Sequence, residues 1–129
     1  MKKSEVIKTL DRLTTKILFV KERGRCWHCG VQATDTAHIF RRDFLTTRWE
    51  TEADGNVHLL CRVCYLQAHQ HPEAYERWYV ARYGDKAFTA LCRRAQSVSV
   101  LFIGELHDKL MTMEWELSEL RNDEATETV

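Results

Sequence analysis

Two short cysteine motifs decide the fold of this 129-residue chain: Cys26-Trp27-His28-Cys29 and Cys61-Arg62-Val63-Cys64. Each is a C-x-x-C motif, and two such motifs can place four thiolates around one tetrahedral Zn²⁺. The 31 residues between them are more than a zinc ribbon usually has. Because four protein ligands close the coordination sphere, the spacing predicts a structural zinc that joins the two ends of a small unit. A thioredoxin-like redox pair and an iron–sulfur cluster remain alternatives.

The composition around these motifs is typical of one soluble globular domain. Hydrophobic residues make up 44% and charged residues 29%, and one Pro and five Gly exclude collagen-like and low-complexity architectures. No apolar run approaches the roughly 20 residues of a membrane span, and the first residues lead into no signal-peptide core. We therefore expect a cytoplasmic protein with no membrane partner. Thiols stay reduced there, which favours metal binding by the cysteines over disulfides.

The charges are distributed unevenly along the chain. Residues 1–50 carry 11 Lys and Arg against 6 Asp and Glu, whereas residues 101–129 carry 2 against 8. A basic first half suits a polyanion such as nucleic acid, although the same residues could form a solvated helix surface.

Hydrophobic spacing and turn residues predict the order of the elements. They are a helix over 4–22, strands over 37–40 and 57–60, a helix over 72–83, a helix from either 85 or 89 to about 95, and a helix over 98–121. Ser4 is the predicted N-cap of the first helix and Gly24 its stop. Pro72 and Gly84 bracket the second helix, since Pro is favoured in a first helical turn and Gly after the last. The last eight residues are expected to fray.

The stretch between the cysteine motifs contains a histidine at the end of the first predicted strand and an asparagine before the second. The segments are Ala37-His38-Ile39-Phe40-Arg41-Arg42 and Asn56-Val57-His58-Leu59-Leu60-Cys61. With the cysteine motifs, the arrangement from Cys26 to His69 resembles the ββα-metal finger of HNH nucleases with an internal structural zinc. It is most similar to the phage NinG/Rap recombination nucleases. In these proteins an arginine followed by Trp or Phe precedes the loop, as Arg48-Trp49 does here.

The resemblance implies a small α+β fold in four parts. They are an N-terminal amphipathic helix over 1–24, a zinc-stabilised HNH core over 25–71, a C-terminal helical region over 72–121 and a frayed acidic tail over 122–129. An apolar stripe in the last helix would form either a homodimer contact or an intrachain core.

The resemblance also implies metal-dependent hydrolysis of DNA phosphodiester bonds, on branched or recombination-intermediate DNA of a phage or prophage, in the host cytoplasm. His38 would take a proton from water, since an imidazole with a pKa of about 6.5 is largely neutral at pH 7. Asn56 would hold the loop or that imidazole in orientation. His69 would bind a catalytic Mg²⁺ or Mn²⁺, while the arginines would contact phosphates: Arg41, Arg42 and Arg48. The alternatives are a core histidine and a turn asparagine.

Two positions depart from the HNH pattern. Many HNH enzymes have a metal ligand just before the catalytic histidine and another just after the second cysteine motif, where this chain has Ala37 and Tyr65. A phenol is a poor Mg²⁺ ligand. The alternative function is therefore a catalytically decayed zinc-finger module that binds DNA or serves as an adaptor. A purely structural interaction protein is a second alternative.

Overall fold

The computed structural model describes residues 2–97 and 102–127. Over these residues the chain forms, in order, α1 (Lys3–Lys21), β1 (Asp35–His38), β2 (Val57–Leu60), α2 (Arg62–Gln70), α3 (Pro72–Tyr83), α4 (Asp85–Gln96) and α5 (Ile103–Glu127). The predicted mixed α+β class is confirmed. None of the described helices combines the length and apolarity that crossing a membrane requires.

The two strands form an antiparallel hairpin in which His38 lies opposite Val57. The bounds predicted for β2 are confirmed, but β1 covers 35–38 rather than 37–40. The ladder stops early because the Phe40 N–H donates to Asn56 Oδ1 and the Phe40 carbonyl accepts from Asn56 Nδ2. These side-chain bonds satisfy the backbone groups that a longer strand would have paired.

The three helices after the hairpin pack around it. Cys61 caps α2, with its sulfur 3.5 Å from the Cys64 backbone nitrogen. Pro72 opens α3 as predicted, and Gly84, at φ +92°, separates α3 from α4. Side chains from α3 and α4 share one core with the cysteine motifs: Trp27, Leu60, Tyr75, Tyr79 and Leu91. This core fixes the hairpin against the helices.

The first and last helices pack against each other through apolar side chains. The buried contributors are Val6, Leu10, Leu13 and Ile17 of α1 with Leu106, Leu110, Met113 and Leu117 of α5. The apolar stripe of the last helix therefore forms an intrachain core over residues 106–117. Trp49, from the loop between the strands, lies in the same core.

The ends of both helices differ from the prediction. Lys2, not Ser4, is the N-cap of α1, and its side chain makes no capping bond. Residues 98–101 of the predicted last helix lie outside the described residues, and α5 begins at Ile103. It runs to Glu127, so the helix end expected at residue 121 was wrong. The apolar packing of α5 against α1 stabilises this helix. Its acidic C-terminal residues are therefore helical although their composition predicted fraying.

Candidate functional site

The four predicted zinc cysteines converge on one point. The sulfur atoms of Cys26, Cys29, Cys61 and Cys64 all lie within 4.8 Å of one another. The Cys29 and Cys61 sulfurs are 3.7 Å apart, close to the roughly 3.8 Å that separates two ligands of a tetrahedral zinc with Zn–S bonds of about 2.3 Å. The donor set and spacing can hold a metal ion and fit structural zinc.

Backbone amides support the thiolates. The Cys29 N–H lies 3.5 Å from the Cys26 sulfur, and Gly30, at φ +83°, completes the tight turn that follows. Burial raises the pKa of the Cys26 thiol, but backbone hydrogen bonds from Cys29, Cys61 and His28 outweigh this and lower that pKa to about 7. The lowered pKa favours the metal-binding thiolate at Cys26. At Cys64, by contrast, burial and the neighbouring cysteines raise the thiol pKa.

A cavity of about 720 Å³ lies beside the hairpin. It is bounded by α1, β1, the loop after β1, α2 and the start of α3. The cavity brings together five of the predicted site residues: His38, Arg41, Arg42, Arg48 and His69. Its walls also include Asp11, Thr15, Thr36, Tyr65 and Tyr75. Residues that are distant in sequence thus share one concave surface, the usual form of a binding site.

His38 occupies this cavity with a defined ring orientation. Its Nε2 lies 3.0 Å from the Arg48 carbonyl oxygen. A carbonyl only accepts, so Nε2 carries the proton and Nδ1 is the acceptor of the neutral ring. Burial lowers the pKa of His38 below its ordinary 6.5, and the nearby Arg42 and Arg48 cations act in the same direction. The ring is therefore a neutral base at pH 7.

Asn56 holds the loop rather than the imidazole. Its side chain is fully buried, accepts from the Phe40 N–H at 2.8 Å and donates to the Thr47 carbonyl at 3.2 Å. These bonds join the start and the middle of the loop over residues 39–55 to the residue before β2. Of the two roles that the resemblance left open for Asn56, the geometry favours the first.

The three predicted phosphate-binding arginines differ in accessibility. The Arg48 side chain is only 14% exposed and gives Nε and Nη2 to the Asp11 carboxylate at 2.9 and 2.8 Å. The predicted phosphate contact of Arg48 does not fit this geometry. Arg41 is 80% exposed, and Arg42 is 59% exposed although its Nη2 lies 2.7 Å from Asp11. These two remain the accessible guanidinium groups of the cavity.

The cavity offers few ligands for a second cation. His69 is exposed and its ring is parallel to that of Tyr65, with the centroids 6.1 Å apart. Asp11, a carboxylate in the cavity wall, is already bound by two arginines and Trp49. Within residues 2–97 and 102–127, the cysteines form the one group of three or more close metal-ligating side chains. A cation here would rely on His69, water and phosphate oxygens.

Sequence reasoning missed two residues. Asp11, on an amphipathic helix, looked like solvated surface, and its partners lie 31 to 38 residues away in sequence. His58 is fully buried, with Nδ1 2.7 Å from the Tyr75 hydroxyl and its ring stacked on Trp27 at 4.2 Å. Burial lowers the pKa of His58 to about 3. It is a neutral core histidine, and no signal in the sequence marked it as buried.

Comparison with known proteins gives no relative: no protein-family model, curated protein or solved structure matches the chain at a significant level. Since a fold alone does not determine function, a function for this chain has to come from the chemistry of its site.

Proposed function

We propose that this chain is a metal-dependent HNH endonuclease, most like the NinG/Rap group, that hydrolyses DNA phosphodiester bonds. The observation that carries the proposal is the cavity shared by His38, His69, Arg41 and Arg42, beside a hairpin that four cysteines bring together. The preference for branched or recombination-intermediate DNA of a phage or prophage rests on the resemblance in sequence.

His38 would act as the general base. In the proposed step the water oxygen bonds to phosphorus, its proton passes to Nδ1 of His38, and the bond to the leaving 3′ oxygen breaks. The Arg48 carbonyl, 3.0 Å from Nε2, keeps the lone pair on Nδ1 and stabilises the imidazolium that forms. A neutral base with a defined lone pair is what water activation requires.

Exposed cations around the cavity would hold the phosphate backbone. Arg41 and Arg42 can each pair with phosphate oxygens through two donors. Lys8 and Arg12 are exposed on α1, three residues before the cavity residues Asp11 and Thr15 respectively. The acidic α5 covers the apolar face of α1 instead. Lys8 and Arg12 therefore lie near the cavity, and the acidic α5 lies on the other side of α1.

A second cation would complete the site. Bound by His69, water and phosphate oxygens, a Mg²⁺ or Mn²⁺ ion would neutralise charge on the phosphate and the leaving oxygen. Zinc would serve structure alone, since its four thiolate ligands leave no open position.

The test is a cleavage assay with zinc-loaded protein. Duplex, single-stranded and four-way-junction DNA are incubated with Mg²⁺, with Mn²⁺ and without added divalent cation. We expect cleavage in both metal arms, fastest on the junction, and none without the added ion. Intact DNA in every arm would contradict the proposal.

A catalytically decayed DNA-binding or adaptor module is the second candidate. The observation that favours it is the scarcity of ligands: Ala37 and Tyr65 replace usual ones, and Asp11 is already bound by arginines. A gel shift with the same three DNAs separates the candidates. Binding without cleavage would identify the decayed module, and loss of both would indicate a structural interaction protein.

A further inference from the structure

Asp11 lies on α1, outside the hairpin, yet it has four donors on its carboxylate. Oδ1 accepts from Arg48 Nε at 2.9 Å and from Trp49 Nε1 at 2.8 Å. Oδ2 accepts from Arg48 Nη2 at 2.8 Å and from Arg42 Nη2 at 2.7 Å. Both oxygens therefore bind two donors each. Charge-assisted bonds of this length and number are the strong kind, and the Arg48 pair is bidentate.

Arg48, the bidentate partner of Asp11, also orients His38 through its backbone carbonyl. The Arg48 carbonyl is the acceptor 3.0 Å from His38 Nε2. Arg48 Nη1 also donates to the Arg42 carbonyl at 3.2 Å, which closes the loop on itself. The backbone of this segment is also held by Asn56, which donates to the Thr47 carbonyl at 3.2 Å, and by short turn bonds such as Phe44 N–H to the Arg41 carbonyl at 3.0 Å. The Arg48 carbonyl belongs to the peptide between Arg48 and Trp49, and Asp11 binds the side chains of both residues.

We propose that Asp11 is a positioning residue for the nuclease site: by anchoring Arg48 to α1, it fixes the carbonyl that orients His38. This inference rests on the proposed function of the cavity. Without the anchor, the loop carrying Arg48 would shift, the Nε2 hydrogen bond would weaken, and the ring would sample orientations unable to meet the attacking water.

The experiment compares Asp11→Asn with Asp43→Asn in zinc-loaded protein. Asp43 is the matched control, since it also faces an arginine of this loop, Arg41, but at 3.6 Å with both side chains largely exposed. The readouts are kcat and KM for DNA cleavage, and the His38 Nε2–H signal in ¹⁵N NMR. Zinc content and thermal unfolding show whether each variant is folded.

For Asp11→Asn we expect kcat to fall about 10- to 100-fold, the range typical of the partners that orient metal-ligating histidines. KM should stay within a few-fold, because Arg41 and Arg42 remain, and the Nε2–H signal should broaden or vanish. Asp43→Asn should leave kcat, KM and the Nε2–H signal unchanged. Asp11→Glu keeps both carboxylate oxygens and should therefore have a higher kcat than Asp11→Asn. Wild-type kcat and an unchanged Nε2–H signal in Asp11→Asn would overturn the inference.

Two further arms keep the outcome decisive. If Asp11→Asn does not fold, Arg48→Lys tests the same link from the other end, since an ammonium cannot grip both oxygens in parallel; unchanged kcat and signal there would overturn the inference. If the wild type does not cut DNA, the proposed function fails, and the NMR comparison still decides whether Asp11 fixes His38.

Discussion

Two regions of this chain are held together by different chemistry. The finger, residues 25–70, has two strands of only four residues each, and depends on four converging cysteines and on buried polar bonds such as those of Asn56. The helical pair, α1 with α5, is joined by a seam of aliphatic side chains. The candidate site lies where the two regions meet, because Asp11 of α1 accepts from Trp49 in the loop of the finger and lines the same cavity as His38.

The largest expected effect is on the finger. Cys61→Ser should lose the bound metal, from about one zinc per chain to none, and unfold the finger, because structural zinc supplies about 10–16 kcal/mol in small zinc domains. Elemental analysis and circular dichroism measure the two effects, and part of the helical signal should persist. Cys92→Ser, which changes a cysteine on α4 outside the cluster, should keep both metal and fold. A metal-free but fully folded Cys61→Ser protein would contradict the zinc assignment.

The helical pair should respond in the opposite way. Leu10→Ala removes a fully buried side chain from the seam and should cost about 2–5 kcal/mol of unfolding free energy. Zinc content should stay near one per chain. Denaturant titration measures the loss, and Leu66→Ala, at an exposed site on α2, is the control with little effect. Loss of zinc in Leu10→Ala would contradict this account, because zinc binding by the finger would then depend on the packing of α1 against α5.

Short sequence motifs predicted much of the finger. They did not predict the contacts that join the finger to α1. The C-x-x-C motifs imply convergence by their chemistry, and Gly84 marks a break that its left-handed backbone requires. The grip of Asp11 on Arg48 could not be predicted, because it joins residues 37 apart and each alone looks solvated. The early end of β1 depends on one side chain, Asn56, that replaces ladder bonds.

Acid should weaken the finger through His58. Its pKa is about 3 in the fold, against an ordinary 6.5, so the unfolded state takes up the proton first as pH falls. Stability is therefore complete above about pH 6.5 and is lost progressively toward pH 3, by up to about 1.4 kcal/mol per pH unit. Denaturant titrations between pH 3 and 6.5 measure how the unfolding free energy changes with pH. The slope of this change should be smaller for His58→Gln than for the wild type.

Glu22 acts in the opposite direction and makes the variant comparison necessary. Burial raises its pKa to about 7, so Glu22 favours the folded state as pH falls toward the ordinary 4.5. Glu22 is present in both the wild type and His58→Gln, so its contribution cancels when the two proteins are compared. His71→Gln, at an exposed histidine, should leave the slope unchanged. Equal slopes for wild type and His58→Gln would show that His58 is not buried as a neutral ring.

The smallest expected effect concerns DNA contact. Arg41→Ala removes an exposed cation of the cavity and should reduce the slope of log affinity against log salt by about one. Lys109→Ala, on the exposed face of α5, removes the same charge from the helical pair and should leave the slope unchanged. Fluorescence anisotropy at several salt concentrations measures both. Equal slopes in the two variants would place DNA away from the cavity.

The most direct test of the nuclease assignment is the rate of DNA cleavage by His38→Ala beside His28→Ala. His28 stacks on Trp78 at 3.7 Å, outside the walls of the cavity, and controls for the loss of an imidazole. With Mg²⁺ or Mn²⁺ present and one zinc per chain retained, His38→Ala should cut about 10²- to 10⁴-fold more slowly than the wild type, and His28→Ala at a nearly unchanged rate. Equal cleavage by His38→Ala and the wild type would contradict the assignment.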